Sequence, residues 1–277
     1  VTQTPLHHKA PPGLRAWLDS PEAAAVKSVK EVVIGGEHCV IKRREPGLGR
    51  GISYVLRYLR ALLLALACKI SLGEFPRPGI LLRNGLAYEA ERLRHLLQAG
   101  CRVPEVWWQQ PGLLVLEHVG DDLPYFLRRV DTAERLDLIR RLAEDLARFH
   151  QRGLWHGGAQ VRNVTLREGC LWRIDFEENI GAALSLPLTQ AYDVFQTISS
   201  IVALRKIPRE EVPVIGKLIL DVYFEINPDP AVRAALRRLA RVVCGLARVL
   251  NPLAGKLPWR DVRTFFQVAD ILRLVQQ

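Results

Sequence analysis

The sequence predicts an α+β fold of two lobes, a small β-rich N-terminal lobe with added helices and a mostly helical C-terminal lobe. Three observations predict it. The stretch "AVKSVKEVVIGGEHCVIKRRE" (25–45) alternates and is rich in Val and Ile, as half-buried strands are. From Thr189 onward the pattern is helical, broken only at "NPDP" and "NPLAGKLP". No Gly-rich or low-complexity tract separates the halves, so one domain over 1–277 is expected, with lobes 1–119 and 120–277.

The elements follow in order. Residues 1–25 read as an irregular arm with a short helix around "GLRAWLDS". Gly35-Gly36 is a two-residue hairpin turn, and Lys42 stands at the end of its second strand. In "GRGISYVLRYLRALLLALACKISLG" the uninterrupted apolar run is only Ala61 to Cys68, too short to span a bilayer, which takes about 20 apolar residues. This segment reads as a buried helix enlarging the small lobe, with an interfacial membrane helix over 52–72 as the alternative. "YEAERLRHLLQAG" is helical with Gly100 as its stop, and "EVWWQQPGLLVLEHV" is two strands about Pro111-Gly112. In "DTAERLDLIRRLAEDLARFHQRG", Asp131 and Glu134 make a capping pattern, Leu136, Ile139, Leu142, Ala143 and Leu146 line one face, and Gly153 ends the helix. "VTLREGCLWRIDF" reads as a short hairpin.

Composition excludes several classes. With 49% hydrophobic and 25% charged residues the chain can bury a sizeable core and is neither disordered nor membrane-spanning in type. Cys39, Cys68, Cys101, Cys170 and Cys244 are odd in number and lack C-x-x-C spacing, so free thiols in a reducing cytoplasm are expected. The N-terminal "VTQTPLHHKAPPGL" carries Pro and His where a secretory signal would be apolar. The net charge of +10 favours anionic partners. Arg233, Arg237, Arg241 and Arg248 fall on one helix face, which is either a plain solvated face or one that meets lipopolysaccharide phosphates, anionic lipid or RNA. Nucleic acid is disfavoured as the main partner, because the chain is only 7% aromatic and has no stacking cluster.

Several short stretches stand out in order along the chain: "CVIK" ending at Lys42; Glu89 eleven residues before Gly100; "LVLEHV" from Leu114 to Val119; "FHQRGLWHGG" with His150, Gly153 and His156; Asn163, seven after His156; Asp175 in "RIDFEEN"; and Asp193 in "AYDVFQ". Glu91 rivals Glu89, but about 200° of helix rotation separates them, so only one can face a given site.

Over roughly residues 25–200 this series resembles the protein-kinase-like superfamily, and within it the atypical group that includes lipopolysaccharide (Kdo/heptose) kinases and RIO/Bud32-like kinases. The resemblance implies a bilobal kinase-like fold with ATP and Mg²⁺ as cofactors. Lys42 would grip phosphates and Glu89 would hold Lys42. The backbone of Glu117 and Val119 would bind adenine, and Asn163 and Asp175 would bind metal. His156, Gly158 and Gln160 would form the catalytic loop, braced by Asp193. It further implies an atypical phosphotransferase acting on a hydroxyl of a lipopolysaccharide or other small anionic non-protein substrate. The protein would be cytoplasmic, or peripheral at the inner membrane. The alternatives are a nucleotide-binding pseudokinase and a membrane-associated scaffold.

The departures are specific. A Gly-rich phosphate loop is absent, with Lys27, Ser28 and Lys30 in its place. Asp175 and Asp193 are 18 apart with no A-P-E, which disfavours peptide docking. Gly158 stands where the catalytic Asp belongs, and a general base is typically worth about 10²–10⁴-fold. Gln160, Glu177 and Glu178 are the nearby substitutes; of these Gln160 can orient a hydroxyl but not take its proton.

Overall fold

A computed structural model describes residues 9–44, 50–81, 85–254 and 260–276. The small lobe opens with helices α1 (Leu14–Leu18) and α2 (Pro21–Ala25), then strands β1 (Val29–Ile34) and β2 (Glu37–Arg43). Gly35 and Gly36 both take positive φ, 59° and 87°, as the tight turn demands. Helices α3 (Arg50–Leu72), α4 (Pro78–Leu81) and α5 (Leu86–Gln98) come next, then β3 (Val106–Gln110) and β4 (Leu113–Glu117). The four strands form an antiparallel sheet in the order β1-β2-β4-β3.

The second lobe holds β5 (Asp121–Asp122), α6 (Leu123–Leu127), α7 (Thr132–Gln151), and the hairpin β6 (Val164–Arg167) and β7 (Cys170–Arg173). Helices α8 (Leu186–Val202), α9 (Glu211–Ile226), α10 (Pro230–Ala254) and α11 (Arg260–Arg273) complete it. At the start of α7 the Asp131 carboxylate accepts the Glu134 N–H at 2.9 Å, the cap its sequence announced.

Among the described residues, three apolar cores follow this layout. One fills the helical lobe between α7, α8, α9, α10 and α11. A second lies on the outer face of the sheet, where Cys39 and Ile41 meet Leu14 of α1. The third lies between α5 and the sheet and takes in Phe149 of α7 and Phe176, so it joins the lobes. Because side chains alternate along a strand, burying Cys39 and Ile41 outward turns Val40 and Lys42 toward the space between the lobes.

Helix α3 departs from its expected burial. Ala61 and Ala65 face inward with Cys68 and Leu72, and Leu72 packs on the core of the helical lobe. Leu59, Leu63, Leu66 and Ile70 face outward, with Ile70 87% exposed. The helix therefore leans on α10 rather than enlarging the small-lobe core, and Arg238 ties it there through the Leu72 carbonyl at 3.3 Å. The sequence is apolar on both stripes, so its periodicity could not choose the inner one. Small side chains won because they let the helix axis approach closely. No helix among the described residues is long and apolar enough to cross a membrane.

The arginine stripe of α10 is partly committed elsewhere. Arg233 lies over the Phe224 ring at 4.1 Å, and Arg237 donates to the Val275 carbonyl at 2.9 Å. Arg241 and Arg248 remain exposed on that face.

Candidate functional site

A cleft of about 350 Å³ lies between the lobes. It is lined by β1 and β2 above, Glu117 to Gly120 at the back, and Asn163, Thr165 and Asp175 below. Five of the residues singled out from sequence meet there: Lys42, Glu117, Val119, Asn163 and Asp175.

Lys42 is the centre of the site. Its ammonium donates to Glu89 Oε1 at 2.6 Å and to Asp175 Oδ1 at 2.8 Å. Burial works against the charged ammonium, but the two carboxylates outweigh it and raise its pKa, so Lys42 stays protonated. Glu89 is fully buried, while its rival Glu91 is exposed. Asp175 sits at φ 66°, a left-handed conformation that a short polar side chain tolerates but does not prefer. Such strain persists where surrounding contacts over-determine it. Here the preceding Ile174 is pinned to Asn163 O through its N–H at 3.0 Å and accepts from His156 Nε2 at 3.1 Å, and the following Phe176 is wholly buried under the His156 ring, 4.2 Å away.

The back of the cleft offers backbone groups unevenly. Val119 O is taken by the Thr165 hydroxyl at 2.7 Å, and Glu117 N–H by Glu105 O at 3.0 Å. Val119 N–H makes no hydrogen bond among the described residues. The Glu117 side chain turns to Arg167, 2.8 Å away.

Below, the "WHGGAQVRN" loop is held almost wholly by Asp193 and by α8. Asp193 Oδ2 accepts the His156 N–H at 2.6 Å and His150 Nε2 at 3.2 Å, and Oδ1 accepts the Gly157 N–H at 2.8 Å. Burial alone would raise the Asp193 pKa, but these bonds and the histidines lower it, so it is a carboxylate. His156 is wholly buried, which drives its pKa down to about 3 and keeps it neutral. Its Nδ1 accepts the Gly158 N–H at 3.2 Å, so the proton sits on Nε2, which donates to Ile174 O. Asn163 Nδ2 donates to Gly158 O at 2.8 Å, leaving its carbonyl oxygen as the atom a cation would use. Gln160 is half-buried; its backbone N–H closes on Gly158 O and its carbonyl accepts the Asn163 N–H.

Sequence reasoning missed several residues of this scaffold. Gln190 donates to His150 O and Leu154 O at 2.8 and 2.9 Å, Thr197 to Ala159 O at 2.7 Å, and Ser200 accepts the Val161 N–H at 2.9 Å. With Asp193 they form one polar stripe at 190, 193, 197 and 200 of α8, and that helical spacing was the signal. Arg92 was also missed. It stacks on Trp155 at 3.3 Å, donates to the Trp155 carbonyl, and reaches Glu178 O at 3.4 Å, so α5 holds both loops of the lower lobe.

No family model matches the chain. Over 91 residues, 32% of its length, it is 32% identical to the KEOPS complex subunit Bud32 of Pyrococcus abyssi. That stretch answers to 41% of the relative, so the chain spans about two fifths of the curated protein it matches. Where the two align, the chain is similar in sequence to this Bud32. A solved structure of the Rio2 kinase from Chaetomium thermophilum, in an ADP/Mg²⁺–phosphoaspartate complex, aligns at a TM-score of 0.40 and 17% identity, over 92% of this chain and 73% of that one. Resemblance to lipopolysaccharide kinases rests on the motifs alone. The Gly35-Gly36 turn backs onto Pro12, where a Cβ on Gly35 would meet the Pro12 carbonyl oxygen at 2.3 Å. The cleft roof is instead Val29, Lys30 and Glu31.

Proposed function

We propose that the cleft binds ATP with Mg²⁺ and that the chain is an atypical phosphotransferase. The observation that carries this reading is Lys42, held at once by a buried helix carboxylate and by a strained Asp at the floor of the same cleft. A lysine so fixed is a placed cation for phosphate oxygens. Val119 N–H is a donor suited to an adenine edge. Asn163 and Asp175 offer a carbonyl and a carboxylate oxygen, the hard donors Mg²⁺ takes alongside substrate phosphates. Bound there, the ion would neutralise charge on the transferring phosphoryl group. His156 and Asp193 position the loop through its backbone. On this reading Gln160 would orient a hydroxyl near Gly158.

ATP with Mg²⁺ is expected to raise the melting temperature, since a ligand bound only by the folded state adds about 2.7 kcal/mol at a hundred times its Kd. Asp175→Ala should shrink that shift. Absence of any shift at millimolar nucleotide would sink the reading. Turnover of γ-labelled ATP then separates a phosphotransferase from a nucleotide-binding pseudokinase.

For the acceptor, the exposed apolar stripe of α3 favours a hydroxyl carried at a membrane surface, on a phosphorylated glycolipid or another anionic lipid. A site at the inner face of such a membrane, in a protein of net charge +10, is the corresponding location.

A further inference from the structure

Gly158 lacks the carboxylate that a hydroxyl-activating loop uses, yet the space it leaves is bounded. A Cβ built on Gly158 would lie 3.6 Å from Glu178 Cδ, 3.8 Å from Glu178 Oε1 and 3.6 Å from Asn163 Nδ2. The carboxylate of Glu178 therefore comes within one side-chain length of where an aspartate at 158 would put its own. Glu177, the other acidic neighbour, is paired with Arg44, and its carboxylate gathers with those of Glu89 and Asp175, within 4.8 Å of one another.

We propose that Glu178 is the general base of the phosphoryl transfer, supplying from the segment after Asp175 the carboxylate absent at Gly158. The inference rests on the ATP-binding reading of the cleft.

Three features place Glu178. Its carbonyl oxygen is held by Arg92 Nη1 at 3.4 Å, and the same arginine stacks on Trp155 in the loop. Its backbone also lies against Gly157, where a Cβ would approach Glu178 O at 3.1 Å and Trp155 Cζ3 at 3.0 Å, so Gly157 lets the two segments close. The side chain remains partly open to solvent, as a group that must return its proton requires. Burial, then the negative charges of Asp175, Glu177 and Asp193, hold its carboxyl above the usual range, while Arg162 opposes them. A base closer to neutrality takes a proton more readily.

In the step, the acceptor oxygen attacks the γ-phosphorus as Glu178 takes its proton. The bond from γ-phosphorus to the β,γ-bridging oxygen breaks, and its electron pair leaves with ADP. The protonated Glu178 then gives its proton to water.

The test uses the full chain, ATP with Mg²⁺, and water as acceptor, reading phosphate release beside the nucleotide-induced melting shift. Glu178→Gln is expected to cut turnover about 10²-fold while leaving the shift intact. Gly158→Asp in the Glu178→Gln background should recover much of the loss. A Cβ at 158 meets only ordinary contacts and Gly158 has no positive φ, so the second variant can fold. A purely structural role for Glu178 would not be rescued from position 158. Three results overturn the inference while leaving nucleotide binding standing: wild-type turnover in Glu178→Gln, no rescue in the double variant, or no turnover in the wild type despite a clear shift. A missing shift in the wild type overturns the ATP-binding reading, and this inference with it.

Discussion

His156 and His150 are wholly buried beside Asp193, and burial lowers the proton affinity of both, His156 to a pKa of about 3. In the unfolded chain each would titrate near its ordinary value of about 6.5. As pH falls below that value the unfolded chain binds protons that the folded chain refuses, so the His156 contribution is full above it and drains away between it and about 3. For His156 the cost is about 1.4 kcal/mol per pH unit in that window, and His150 adds in the same direction. Urea unfolding at pH 7.5, 6 and 5 should show this loss, and His156→Asn should flatten it; equal slopes in the two proteins would refute the assignment. At this scale much of the site was legible. Lys42, Glu89, Asn163, Asp175 and Asp193 were readable because each sits at a fixed place in an ordered series, and all fall in or beside one cleft or its loop. Arg92 was not readable, since its value lies in contacts with Trp155 and Glu178, 63 and 86 residues away. Nor could the sequence choose between Glu177 and Glu178, because only the fold shows which one pairs with Arg44 and which approaches Gly158.

At the scale of elements, strands and helices with strong local signals were legible: the Gly35-Gly36 hairpin, the capped α7 and the β6–β7 hairpin all formed where pattern and turn chemistry put them. Helix α3 was the exception. Its inner stripe of Ala61, Ala65, Cys68 and Leu72 and its outer stripe of Leu59, Leu63, Leu66 and Ile70 are both apolar at helical spacing, and only tertiary packing distinguishes them. The outer stripe has a consequence that can be measured. If it meets an anionic membrane, the protein should float with vesicles containing phosphatidylserine. Each exposed leucine or isoleucine buried there would contribute about 1.5–3 kcal/mol. Leu63→Glu with Ile70→Glu should abolish flotation without lowering the melting temperature, since both side chains already face outward. Flotation of that variant as well as the wild type would show that α3 is not the contact.

At the scale of the whole molecule, Lys42 ties three parts together: strand β2, helix α5 through Glu89, and the lower lobe through Asp175. The same atoms therefore serve lobe assembly and, on the reading above, phosphate binding. The two roles can be pulled apart. Glu89 is fully buried and its Oε2 has no hydrogen-bond partner, so Lys42→Met would leave a carboxylate uncompensated in the interior. Breaking one side of a buried pair in this way costs about 3–5 kcal/mol. Replacing both partners by apolar residues of similar size removes the stranded charge, and such replacements are often neutral for stability. Lys42→Met with Glu89→Leu should thus melt close to the wild type, well above Lys42→Met alone. Yet it should show little or no nucleotide-induced shift, because the placed cation is gone. A double variant that still binds nucleotide with the wild-type shift would mean that Lys42 holds the lobes together without holding phosphate. One that melts as low as the single variant would mean that the pair, rather than the stranded charge, stabilises the interface between the lobes.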